Sequence, residues 1–217
     1  MQDHRFIKTV GFIISVCCAL TTSAWSVEFT VSLNTAPLIG HAAGPFSLDF
    51  QLNDGSGIGD ANNTAIVTNF NFGVGGAPAS SPSSAGGASG NLSTAVSLTD
   101  SGFLNYLLQQ FTPGNTLSFT IQLTTNVESP TPDQFSFGIL DSGGNEIPTL
   151  GPGDAFLTVD LSSGTPTNSY ASDPSRTPVA GGSAINIAKP VVIPEPAIVA
   201  LVSLALAGFL VLNCRRR

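Results

Sequence analysis

Cysteine is absent from the whole interior of this chain. Cys17, Cys18 and Cys214 sit at the two ends, and residues 27–190 contain none. The interior therefore has no disulfide and no thiol nucleophile. Basic residues are almost as scarce. Between 27 and 190 only Arg176 and Lys189 stand against twelve Asp and Glu, a net charge of −10. A surface of that sign repels phosphate backbones, so nucleic acid is not expected as a partner. Within the same interior the one histidine is His41, in "IGHAAGP". Nucleophilic catalysis needs a nucleophile, a base and an orienting group, and one loop histidine among glycines supplies no such set. Gly-x-Ser-x-Gly does not occur. Paired carboxylates serve glycosidases, but scattered acids form pairs by chance, and Asp49 and Asp133 fall where strands turn polar residues outward. No enzyme activity is expected.

What the interior lacks in apolar runs, the ends supply. At the start, Arg5 and Lys8 precede an apolar run from Val10 to Leu20, and Ala24-Trp25-Ser26 gives a small-x-small cut. Thr22-Ser23-Ala24 offers a rival cut two residues earlier. Residues 1–26 thus read as a secretory signal peptide. At the other end, Ala197–Leu212 is uncharged and Arg215, Arg216 and Arg217 close the chain. A helix there reaches roughly 24 Å at about 1.5 Å per residue, slightly under a ~30 Å hydrocarbon core. Asn213 and Cys214 extend it, and the arginines sit on the cytoplasmic side. Pro194 and Pro196 keep the preceding stretch extended, so the transmembrane helix is expected over 197–212.

A plain anchor does not require Pro194-Glu195-Pro196 at the junction. This tripeptide, followed by a short apolar helix and a terminal arginine cluster, resembles the PEP-CTERM sorting signal of Gram-negative bacteria. The resemblance covers residues 191–217. It implies an exosortase as processing partner, with Pro194, Glu195 and Pro196 as substrate. It also implies a route through the inner membrane to the cell surface or an exopolysaccharide matrix.

The interior, residues 27–190, alternates with period two, the mark of half-buried antiparallel strands. "EFTVSLN" lines up Phe29, Val31 and Leu33. "PFSLDFQLND" lines up Phe46, Leu48, Phe50 and Leu52, and "TLSFTIQLTT" lines up Leu117, Phe119, Ile121 and Leu123. "AIVTNFNFG" gives Ile66, Phe70 and Phe72; "QFSFGIL" gives Phe135, Phe137 and Ile139; "AFLTVDL" gives Ala155, Leu157, Val159 and Leu161. Shorter strands are expected around Val96, Ile147 and Ile185. "FTPGNT" and "DSGGNE" read as hairpin turns. "SGFLNYLLQQF" reads as a helical turn followed by a strand. Residues 73–91 are Gly, Ser, Ala and Pro almost throughout, and are expected to form a flexible loop within the domain. About nine short strands and no long helix give an all-β fold, an antiparallel β-sandwich with a jelly-roll-like wrap as the candidate topology.

Two binding sites are worth testing. "LNDGSGIGDANN" offers Asp54, Asp60 and Asn62 as hard oxygen donors in a Gly-rich loop, chemistry that suits calcium, although the spacing is not that of an EF-hand. No other cofactor is suggested. Exopolysaccharide fits a sandwich placed in a matrix, with Tyr106 and Tyr170 as the amphipathic aromatics and most phenylalanines assigned to the core. The segments "FSLDFQLNDGSG", "FTPGNTLSFTIQLTTN" and "PDQFSFGILD" resemble a bacterial family of PEP-CTERM-bearing surface proteins with no assigned activity. The function expected is structural or interactive, with glycan binding, calcium-assisted or not, as the alternative.

Overall fold

The computed structural model describes residues 26–126, 130–161, 168–171, 173 and 175. The signal segment up to Trp25, the expected strand at Ile185 and the tail from Pro194 to Arg217 lie outside the described residues. In chain order the strands are β1 (Ser26–Asn34), β2 (Phe46–Asn53), β3 (Thr64–Asn71), β4 (Ala77–Pro78), β5 (Ser83–Ala85), β6 (Gly87–Gly90), β7 (Val96–Thr99), β8 (Leu104–Thr112), β9 (Thr116–Thr124), β10 (Gln134–Leu140), β11 (Leu157–Asp160) and β12 (Asn168–Ser169). They form two antiparallel sheets. The first runs β1-β9-β3-β7-β6; the second runs β12-β11-β10-β2-β8-β4, with β5 also on β8. The fold is an all-β sandwich, and most connections cross from one sheet to the other.

The inward residues are those that the alternation marks. Phe29, Val31 and Leu33 from β1 meet Leu117, Phe119, Ile121 and Leu123 of β9 on the inner face of the first sheet. Phe46, Leu48, Phe50 and Leu52 of β2 and Phe135, Phe137 and Ile139 of β10 line the second. The sheets meet through aromatic rings. Phe137 stacks on Phe50 at 5.1 Å between centroids, and Phe119 of the opposite sheet stands edge-on to both, at 4.9 and 5.4 Å. Such pairs add to the area term of burial.

Five local readings are corrected by the structure. In β3 the inward residues are Ala65 and Val67, and Ile66 is 36% exposed. The register against β9 shifts between Thr68 and Asn71, with Asn69 at φ 56°. This bulge inserts one residue and flips the phase, so Phe70 and Phe72 turn inward after all. Segment 101–112 holds no helix: Ser101–Phe103 bends and β8 follows, with Asn105, Leu107, Gln109 and Phe111 inward. The 112–116 turn is not a hairpin, because β8 and β9 belong to different sheets. It is a corner where the backbone of Gly114 lies against Phe72 and Val74, leaving no room for a side chain. Ile147 is buried but lies in no strand; beside it Glu146 forms an isolated bridge to Leu140. Residues 73–91 are no loose loop: β4, β5 and β6 lie within them as a strap along β8 and β7. Asn105 Oδ1 accepts from the Gly87 N–H at 2.8 Å, and Gln109 Oε1 accepts from the Leu92 N–H at 2.9 Å.

Candidate functional site

The outer face of the second sheet carries a polar row in register. Ser136 of β10 pairs with Gln51 of β2, and Gln51 pairs with Tyr106 of β8. One row away, Gln134 faces Asn53; on the other side, Gly138 faces Asp49. Over this face folds the segment after β10. Asp141 starts it: Oδ1 accepts from the N–H groups of Gly143 at 2.8 Å and Asn145 at 2.9 Å, the tight turn that "DSGGNE" announces. The turn brings Glu146 back beside Leu140 and lays its carboxyl across Gly138, where a Cβ would come within 2.9 Å of Glu146 Cδ. Pro152, Gly153 and Ala155 complete the rim. The result is a cleft of about 190 Å³, walled by Asp49, Gln51, Asn53, Gln134, Ser136 and Thr158 of the sheet and by Glu146 above. That is below the ~300–1,000 Å³ of enclosing small-molecule pockets, so the cleft can seat one small polar moiety rather than swallow a ligand.

Asp49 was expected to point to water, and it does not: it is 7% exposed. Alternation placed it correctly on the outer face, but the folded-over segment covers that face. Burial pushes its carboxyl up, against a hydrogen bond that its Oδ2 accepts from Gln51 Nε2 at 2.6 Å. Glu146 is pushed up to about 8, first by burial, then by the charges of Asp49 and Asp154, and its buried Oε2 has no hydrogen-bond partner. Two carboxyls in one cleft invite a hydrolytic reading. Acid–base division of labour needs environments that push two such groups apart, one to donate a proton and one to stay ionised. Here both are pushed the same way.

The calcium loop is placed at the end of the sandwich. Asp54 is 2% exposed, and its Oδ2 accepts from the Gly59 N–H at 2.6 Å. Asp60 is exposed and holds Asn62, whose N–H and Nδ2 donate to its two oxygens at 3.1 and 2.7 Å. The structure adds two acids that the sequence reading passed over or turned outward, Asp100 at 0% and Asp133 at 1% exposure. Both converge on Asn63: its N–H donates to Asp100 Oδ2 and its Nδ2 to Asp133 Oδ2, each at 2.8 Å. Asp133 Oδ1 accepts from the Gly55 N–H at 2.8 Å. Asp100 is pushed up to about 7, mainly by burial; the Asn63 N–H opposes this, and the carboxyls of Asp133 and Asp60 reinforce it. Among the described residues, no three Asp, Glu, His or Cys side chains already gather at coordinating distance from one point.

Of the remaining candidates, His41 is a loop residue, its Nδ1 accepting from the Ala43 N–H at 3.1 Å. Tyr106 lies half-buried in the polar row, and Tyr170 packs its ring on Gly151. Phe103 departs from the core assignment of the phenylalanines, at 64% exposure. No protein-family model, curated protein or solved structure matches the chain.

Proposed function

We propose that this chain is an exported surface or matrix protein of a Gram-negative bacterium, sorted through Pro194, Glu195, Pro196 and the terminal arginines, with an interaction role and no catalytic one. Its wrap is jelly-roll-like in that the chain passes between sheets at most connections. The interaction surface is the polar outer face of the second sheet. The observation that carries this reading is the cleft itself: aligned amide, hydroxyl and carboxyl side chains on three neighbouring strands, with both acids pushed toward their neutral forms. Carboxyls held toward the neutral form, amides and hydroxyls together supply donors and acceptors in one place, the chemistry that meets a polyhydroxyl surface.

The glycan reading is favoured by the Ser136–Gln51–Tyr106 row, which gives a strip of polar groups ending on an aromatic ring. Retention of the protein on exopolysaccharide isolated from its own cells tests it. Loss of retention in Gln51→Ala and Tyr106→Ala supports the assignment; undiminished retention in both moves the contact elsewhere. Sorting is tested separately by mapping the C-terminal peptide of the protein recovered from those cells. A chain ending near Pro194–Pro196 makes the tail a removable address. A chain still ending at Arg217 makes it a membrane anchor and refutes processing.

A further inference from the structure

Three connections between the sheets meet at one end of the sandwich. Residues 54–63 join β2 to β3, residues 100–103 join β7 to β8, and a third segment, ending at Asp133, joins β9 to β10. Each delivers a buried aspartate: Asp54, Asp100 and Asp133 are 2%, 0% and 1% exposed. Asp60 stands exposed at the same end. Buried carboxylates are normally paired with basic groups. Among the described residues no lysine or arginine is present to do this.

The hydrogen bonds explain only part of the arrangement. Asp133 uses both oxygens, on Gly55 and Asn63, and so staples two connections together. Asp54 and Asp100 each use one, on Gly59 and on the Asn63 N–H. The other oxygen of each, Oδ1, is buried and has no hydrogen-bond partner. The acidic neighbours of the Asp100 carboxyl are Asp133 and Asp60. A group used merely as a staple does not need a second buried oxygen left without a partner, and such an orphan oxygen is costly.

We propose that this end of the sandwich binds a calcium ion through Asp54, Asp60 and Asp100, with Asp133 holding the connections in place. The donors are oxygens, which selects a hard cation over zinc or copper. They come from loops of uneven geometry, which calcium tolerates and magnesium does not. Asp60, exposed at this end with both oxygens accepting from Asn62, would exchange those bonds for the ion. A bound ion would neutralise the acids and tie together three connections that otherwise meet through hydrogen bonds alone. The competing account is a proton shared between Asp100 and Asp133, with no ion.

The test is calorimetric titration of calcium into the purified, chelator-stripped protein, with melting followed in parallel. Extracellular calcium modules bind with Kd of roughly 10⁻⁴–10⁻³ M. At tenfold excess over Kd the melting temperature should rise by about 3–6 °C, with magnesium giving a smaller shift. Asp60→Asn, at an exposed position, should weaken calcium binding several-fold and leave the ion-free melting temperature unchanged. Asp100→Asn should abolish the response. No binding heat and no shift in the wild-type protein would overturn the proposal in favour of the shared proton. A response that survives both substitutions and disappears in Glu146→Gln would overturn it by placing the ion in the cleft.

Discussion

Gly138→Ala should evict Glu146 from the cleft while leaving the sandwich intact. Gly138 lies mid-strand in β10, opposite Asp49, with extended backbone, so alanine meets no conformational barrier there. A Cβ at this position collides with the Glu146 carboxyl, whose Oε1 and Cδ would each lie at 2.9 Å. These atoms are the far end of a flexible side chain, and the clash is relieved by swinging the carboxyl into water. Replacing a strand glycine by alanine gains about 0.5–1 kcal/mol. Against this stands the lost packing of the glutamate stem, and the release of a buried carboxyl that has an unpartnered oxygen adds to the gain. The net change in stability should lie within about 1 kcal/mol of zero and turn more favourable as pH rises and Glu146 ionises. The Glu146 titration, followed by carboxyl-selective NMR, should fall from about 8 toward the ordinary glutamate range, and Asp49 should fall with it. Exopolysaccharide retention should drop if the cleft is the contact. A Glu146 titration that stays near 8 in the variant, or a stability loss above about 3 kcal/mol at every pH, would refute this account of the cleft.

The wild-type protein should itself lose stability as pH rises. A carboxyl raised in the folded state holds its proton more tightly folded than unfolded, so its contribution is present below the ordinary value of 4.5 and lost as pH passes through about 8. Because the cleft is open to water, the loss relative to Glu146→Gln should be about 1–2 kcal/mol across that window, measured by urea denaturation; equal slopes for the two proteins would contradict it. Phe137→Ala should destabilise by about 3–5 kcal/mol, since its ring touches Phe50, Phe119 and Phe156 and joins both sheets. Asn105→Ala should lose about 1–3 kcal/mol, because its buried amide accepts from Gly87 and donates to the carbonyls of Leu52 and Gly102. Hydrogen exchange should then quicken first at Gly87; unchanged exchange there would mean that the strap is held by other contacts.

Strands that alternate apolar and polar residues were legible in the sequence, because the inner face is set by burial of the apolar set. β1, β2, β9 and β10 bury the apolar residues that alternation picks out. The failures have separate physical causes. In β3 the bulge at Asn69 resets the phase partway along, and a single strand's pattern does not show where. In "LNYLLQQF" apolar residues satisfy both a period of two and a period near four, so only the neighbours β2 and β5 decide for strand. β4, β5 and β6 are built from small residues that carry no pattern, and Asn105 and Gln109 on distant β8 help hold them. The buried acids were hidden for a related reason. Asp49 is covered by a segment about a hundred residues later in the chain, and Asp100 and Asp133 are enclosed only when three connections meet. Alternation shows which face a residue takes; it does not show what later covers that face.

The cleft and the acidic end are neighbours along the same two strands. Asn53 and Gln134 pair in register at the edge of the cleft. The next residue outward on β2 is Asp54, and the residue before Gln134 is Asp133. Hydrogen bonds continue the contact past the strand ends, with the Gly55 N–H donating to Asp133 Oδ1 and the Ser56 N–H to the Thr131 carbonyl at 2.9 Å. An ion that fixes the connections therefore fixes the Asn53–Gln134 edge, and a ligand that orders this edge favours the ion in return. Linkage requires equal factors in both directions. Calcium should thus strengthen retention on exopolysaccharide, and exopolysaccharide should tighten calcium binding by the same factor. Asp60→Asn should weaken the coupling without touching any cleft residue. Retention unaffected by calcium, in a protein that demonstrably binds both, would show that the two sites share strands but not energy.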